Sequence, residues 1–74
     1  MSEFMQPVRP LRIVQLLGEH WFTYYVFAVR VVGRDAEYLT IDGKLYNSRE
    51  ISFAETQMDD VWVRMKMLTK PVAS

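Results

Sequence analysis

A catalytic set built on a nucleophile needs a histidine beside it and an acid to orient that histidine. This sequence holds one histidine, His20, set between Glu19 and Trp21 where a turn is expected. The plainer reading of His20 is a solvent-facing turn residue. Asp59 and Asp60 are adjacent carboxylates that in principle hold a cation or share a proton. Consecutive residues of a strand point to opposite sides, so a polar turn explains them better. Gly18, Gly33 and Gly43 are scattered and form no phosphate-cradling loop. There is no cysteine, hence no disulfide and no thiolate zinc site, and a single histidine makes a histidine-based metal site a poor reading. The expectation is a protein that is not an enzyme and carries no metal or cofactor.

Binding chemistry is better represented. Trp21, Phe22, Tyr24, Tyr25 and Phe27 pack half of the aromatic residues into the run WFTYYVFAVRVV, Trp21 to Val32. That run reads as a long β-strand, apolar or aromatic on both faces apart from Arg30. A strand half-exposed to water alternates apolar with polar residues; this one hardly does. Either the fold covers both faces or another chain covers one. Reading even-numbered residues as one face sets Tyr24 with Arg30, and the neighbouring strands add Tyr38, Trp62 and Arg64. Aromatic residues and arginine are enriched at the centres of protein interfaces. Tyr24, Arg30, Tyr38, Trp62 and Arg64 are therefore the expected partner contacts. One alternative is that Phe4, Met5 and Val8 fold over this face; another is plain homodimer burial.

Size limits what the chain does alone. Its 74 residues make one domain at most. Such a domain buries roughly 60% of the surface its unfolded chain exposes, so its core is thin. Without disulfide or metal, self-association is the expected aid to stability. Net charge is zero but unevenly spread: +2 over residues 1–34, −5 over 35–60 and +3 over 61–74. An acidic middle weighs against a phosphate-rich partner. No targeting signal or membrane span is expected, because Arg12, Gln15, Glu19, His20 and Arg30 interrupt the apolar stretch. A cytoplasmic location fits a chain without cysteine, although zero cysteines fit either redox compartment.

In chain order, residues 1–10 read as a flexible arm with two prolines. Leu11 to Leu17 reads as strand or short helix, with Ile13 and Val14 favouring strand. In Glu37 to Ile41, Leu39 and Ile41 are expected inside and Tyr38 and Thr40 outside. Asp42-Gly43 predicts a two-residue type I′ hairpin returning through Lys44 to Tyr46. Asn47 to Met58 stays open between a strand, with Ile51 and Phe53 inward, and a helix capped by Ser48. Val61 to Leu68 alternates cleanly, with Val61, Val63, Met65 and Met67 on one face. Residues 69–74 are a tail.

Together these elements predict a mostly β fold over residues 11–68: a small five-stranded antiparallel barrel-like sheet. The alternative is α+β, with a helix at about residues 48–58. The stretch GRDAEYLTIDGKLYNSREISFAE, a glycine turn leading to a strand, a hairpin and a further strand, resembles the SH3-like and Sm-like small β-barrels. The resemblance spans roughly residues 11–68 and implies binding of RNA or protein, often as rings. No family signature is present, so it carries over no binding residue. The expected function is a small adaptor or inhibitor that occupies a protein partner's surface as a homodimer. The alternative is an Sm-like or OB-like protein that binds RNA or single-stranded nucleic acid through stacking aromatics and a basic groove.

Overall fold

The computed structural model describes residues 3–65. They form β1 (Leu11–Leu17), β2 (His20–Val32), β3 (Asp35–Thr40), β4 (Leu45–Asn47), β5 (Phe53–Met58) and β6 (Val61–Arg64). The first four strands run as a meander. β5 then returns to pair with β1, and β6 pairs with β5, giving the spatial order β4-β3-β2-β1-β5-β6. All pairings are antiparallel. The fold is mostly β, as expected. Two details differ: the sheet has six strands rather than five, and β4 and β6 do not pair, so it does not close into a barrel.

The thirteen-residue β2 serves two partners. Its first half pairs with β1, from Leu17↔His20 to Arg12↔Tyr25. Its second half pairs with β3, from Val26↔Thr40 to Val32↔Asp35, and the register shifts between Val26 and Ala28. An extra residue in one strand bends it and exchanges the faces beyond it. Tyr24 and Val26 point inward before the shift, and Val29 does so after it. This overturns the simple even–odd reading that set Tyr24 beside Arg30. β1 reaches only as far as Tyr25, and Met5 takes up the edge beyond it: its N–H and C=O pair with Val29 at 2.8 and 2.9 Å.

The core comprises Leu11, Ile13, Val26, Ala36, Tyr38, Ile51 and Ala54, with Tyr24, Val29 and Tyr46 packed against it. Tyr38 and Thr40 are thus inside, and Ile41 is 71% exposed, the reverse of expectation. The β3–β4 turn explains part of this. Gly43 N–H donates to Thr40 C=O at 2.9 Å and Thr40 N–H to Lys44 C=O at 2.8 Å, so the loop is Ile41-Asp42-Gly43. That is a three-residue loop ending on Gly43 at φ 87°, not the two-residue type I′ turn. The buried Thr40 hydroxyl donates to Asp42 and accepts from Lys44 N–H at 3.0 Å. The bond from Thr40 holds the Asp42 carboxyl below its ordinary value.

No helix occurs among the described residues, so the helical reading of 48–58 does not hold. A helix-start signal is nevertheless real. Asn47 N–H donates to Glu50 Oε1, and Arg49 N–H donates to Asn47 Oδ1, both at 2.9 Å. This is the reciprocal arrangement that opens helices. It stops after one turn because both its neighbours are pinned to the sheet. Ser48 N–H donates to Ala36 C=O at 2.8 Å, its Oγ accepts from Ala36 N–H, and Ser52 N–H donates to Val14 C=O at 2.9 Å. Beyond it, Ile51 enters the core while Phe53 faces outward.

Val61, Val63 and Met65 do share a face, on the core side of the sheet, yet all three stay partly open, Val61 most at 60% exposed. Residues 66–68 of the expected last strand, and the tail, lie outside the described residues. The β5–β6 hairpin turns on Asp59 and Asp60, at φ 51° and 65°. Both central residues are left-handed, as a type I′ turn demands, and neither is glycine. A left-handed residue with a side chain costs roughly 1–2 kcal/mol, less for aspartate. Replacing the pair by Asn-Gly (Asp59→Asn with Asp60→Gly) is expected to raise stability by about 1 kcal/mol. Urea unfolding checks this: the midpoint should rise at unchanged slope. A midpoint that stays put or falls would contradict a strained turn.

Candidate functional site

Residues directly opposite one another in an antiparallel ladder point to the same side. The registers therefore assign faces. Arg12 stands opposite Tyr25 and Glu55, Val14 opposite Thr23 and Phe53, and Leu16 opposite Trp21. Glu55 stands opposite Arg64, and Gln57 opposite Trp62. Ile13, opposite Tyr24 and Ala54, marks the core side. The other set makes up the outer face of β2, β1, β5 and β6.

This face is ordered by stacking. Trp21 and Phe53 have ring centroids 6.0 Å apart, and the Arg64 guanidinium lies 3.9 Å above Phe53. Tyr25 and Trp62 are 6.2 Å apart, and the Arg12 guanidinium lies 4.1 Å from the Trp62 ring. Arg12 Nε also donates to Glu55 Oε1 at 2.7 Å. An arginine over an aromatic ring is worth about 0.5–1 kcal/mol at exposed sites. Part-exposed ion pairs add roughly 0–1 kcal/mol. Their consequence here is placement more than stability: two cations are held over rings while Trp21 and Tyr25 remain 58% and 52% exposed.

Of the five residues expected at a partner surface, the structure brings two together, Trp62 and Arg64, both on β6. Arg30 points outward but belongs to a separate cluster. Its guanidinium pairs with Glu37 at 2.6 Å and lies 4.5 Å from the Phe4 ring. The arm thus meets β2 at Val29 and Arg30 and not over the aromatic face; Val8 is fully exposed. Tyr38 is 6% exposed in the core, and Tyr24 packs inward against Tyr46. Neither is an outward contact, because the bulge fixes which side of β2 and β3 is dry.

Sequence reasoning missed Arg12, Phe53 and Glu55 as members of the face. A signal existed. If Gly18-Glu19 is a two-residue turn, Leu17 must oppose His20, which puts Leu16 opposite Trp21 and Arg12 opposite Tyr25. The glycine φ of 64° fits that turn. Phe53 had no such local anchor.

The structure sets apart the residues weighed for catalysis. His20 closes the β1–β2 hairpin, whereas Asp59 and Asp60 tip the β5–β6 hairpin at the opposite end of β1. At about 3.3 Å per residue, a strand's length of roughly 20 Å or more separates them. Among the described residues, no group of three or more His, Asp or Glu side chains is placed to hold a metal ion. Comparison with family models, curated proteins and solved structures finds no match.

Behind the face, Tyr24 and Tyr46 stack at 4.8 Å, and the Tyr46 hydroxyl is pushed up to about 12. Its hydrogen bond with Tyr24 is the main cause, followed by burial and the nearby Asp42 and Glu50. A raised folded-state value stabilises the fold fully below the ordinary value of 10.0 and is lost as pH climbs from there toward about 12. Stability measured from pH 9 to 12 should therefore fall more steeply in the wild type than in Tyr46→Phe. Parallel curves would show that this hydroxyl is not linked to folding.

Proposed function

We propose that this chain is a non-enzymatic binding protein, an adaptor or inhibitor that lays the outer face of β2, β1, β5 and β6 against a protein partner, and that it does so as a homodimer. One observation carries the reading: two arginines are stacked on two aromatic rings of a single sheet face whose other large rings stay open to solvent. Exposed aromatic area beside oriented arginines is the composition of interface hot spots. Preoriented side chains lose less entropy on binding than free ones. Trp21, Tyr25, Trp62 and Phe53 would supply buried area, with Arg12 and Arg64 holding the orientation of the rings they lie over. The long bent β2, shared by two halves of the sheet, supports kinship with small SH3-like or Sm-like barrels. We place the protein in the cytoplasm, in keeping with its lack of cysteine.

A second reading, single-stranded nucleic acid, is favoured by the open Trp21 and Tyr25 rings, on which bases can stack. Glu55 on the same face and Asp59 and Asp60 at its end weigh against it, because phosphate binding depends on a surplus of positive charge.

The test is Trp21→Ser with Tyr25→Ser. Both side chains are exposed and lie away from the core, so circular dichroism should be unchanged. Affinity for a protein captured by the wild type should fall at least about thirtyfold, the loss of a hot spot. Retention of the same partners at the same affinity would remove this face from the function. Tight binding of a single-stranded oligonucleotide that collapses with added salt would establish the second reading instead.

A further inference from the structure

We infer that a second copy of this chain docks edge to edge on β6, so that two six-stranded sheets join into one continuous sheet about a two-fold axis. The inference rests on the homodimer part of the reading above and is independent of the protein partner. β6 is the last strand of the sheet, and nothing among the described residues pairs with its outer side. The opposite edge, β4, is three residues long against four for β6, so length alone does not choose between them; the side chains do.

The backbone of β6 sets the register. Met58 and Val61 flank a two-residue turn and form a hydrogen-bonded pair. Bonding toward β5 then recurs at every second residue, Val61, Val63 and Met65; Met65 N–H donates to Ala54 C=O at 2.8 Å. The N–H and C=O of Trp62 and Arg64 therefore point to the free edge. A two-fold axis through Trp62 sets these outward groups against each other. Trp62 meets Trp62 of the second copy, and Arg64, on leaving its place over Phe53, falls opposite the turn residue Asp60 of the second copy, twice.

Side chains and charges agree with that register. A two-fold axis perpendicular to the sheet keeps core side with core side. The exposed Val61 then stands opposite Val63 of the second copy, and the reverse, burying two pairs that one copy leaves in water. On the outer face the two Trp62 rings lie side by side, an aromatic cross-strand pair. Sliding by two residues either way preserves the faces but separates Arg64 from the opposing acid. A self-complementary patch of this kind, with residue i meeting j and j meeting i, is what a two-fold interface requires.

Sedimentation combined with amide exchange tests the pairing in the unmodified chain. We expect a monomer–dimer equilibrium in which the Trp62 and Arg64 amides become protected as concentration rises. The Val61 and Val63 amides should be protected throughout. Arg64→Glu should raise the dimer dissociation constant at least about tenfold by setting like charges together. Adding Asp60→Lys to that variant should restore dimerisation, whereas a variant that merely misfolds would not be rescued. A monomer at every concentration would overturn both this inference and the homodimer reading. A dimer whose Trp62 and Arg64 amides stay unprotected, or which ignores Arg64→Glu, would overturn the inference alone. Protection of those two amides in a monomer would mean that the chain covers its own edge, and would overturn it too.

Discussion

Everything in this fold depends on the bulge between Val26 and Ala28. A single straight strand of thirteen residues offers each face to one side along its whole length. The register shift divides β2 into a half that belongs with β1 and a half that belongs with β3. Each half turns a different parity of residues toward the core, and the bend lets the two halves of the sheet face each other across Ile13, Val26, Tyr38 and Ala54. Tyr24 and Val29 are five residues apart, which in a regular strand would set them on opposite faces, yet both pack on that core. Without the extra residue, either Tyr24 or Val29 would face water, and a core this thin has no replacement for it.

The same device explains why the outer face is so apolar. Once Tyr24 and Val26 take the inside of the first half, Trp21, Thr23 and Tyr25 must take the outside. Among the described residues no layer covers them: the arm meets β2 at Val29 and Arg30. The face is instead managed by its own arginines. Arg12 and Arg64 hold their guanidinium groups over Trp62 and Phe53, which shields ring surface beside a charge that water still reaches. Small domains have stabilities of only about 5–15 kcal/mol in total, so several contacts of under 1 kcal/mol on one face are not negligible.

Several strands were legible in the sequence because they depend on local pattern: Val61–Arg64 alternates, Leu11–Leu17 carries branched residues that favour strand over a short helix, and Trp21–Val32 reads as a long strand; Phe53–Met58 stayed open between strand and helix. Which side of each strand is dry was less legible. That property is set by an added residue inside β2 and by whether the Thr40–Lys44 loop holds two residues or three, and neither leaves a mark in hydrophobicity. Tyr38 illustrates it. Its neighbours Leu39 and Ile41 are more apolar, so pattern places them inside, but the ladder pairs Tyr38 with Val29 and Tyr46, and those fill the core. Asn47 to Glu50 shows the converse: the helix capped by Ser48 does not form, the local cap-like bonds fall on Asn47 instead, and Ser48 and Ser52 bond to the sheet. For the candidate face, the aromatic run was visible at once. Arg12 and Phe53 belong to it only through pairings across more than ten and more than thirty residues of chain.

Face and edge meet on one strand. Trp62 and Arg64 present their side chains to the outer face and, to the edge, backbone groups that nothing among the described residues pairs. A two-fold axis perpendicular to the sheet does not turn either copy over, so the proposed pairing would set both aromatic faces on the same side, adjoining at Trp62. The result is one doubled surface rather than two surfaces facing apart. A partner with two equivalent sites, or one long enough to cross the axis, would then meet both faces at once. The second contact would form at the effective concentration set by the first. In the proposed arrangement the second copy would complete the edge, and the partner would cover the face.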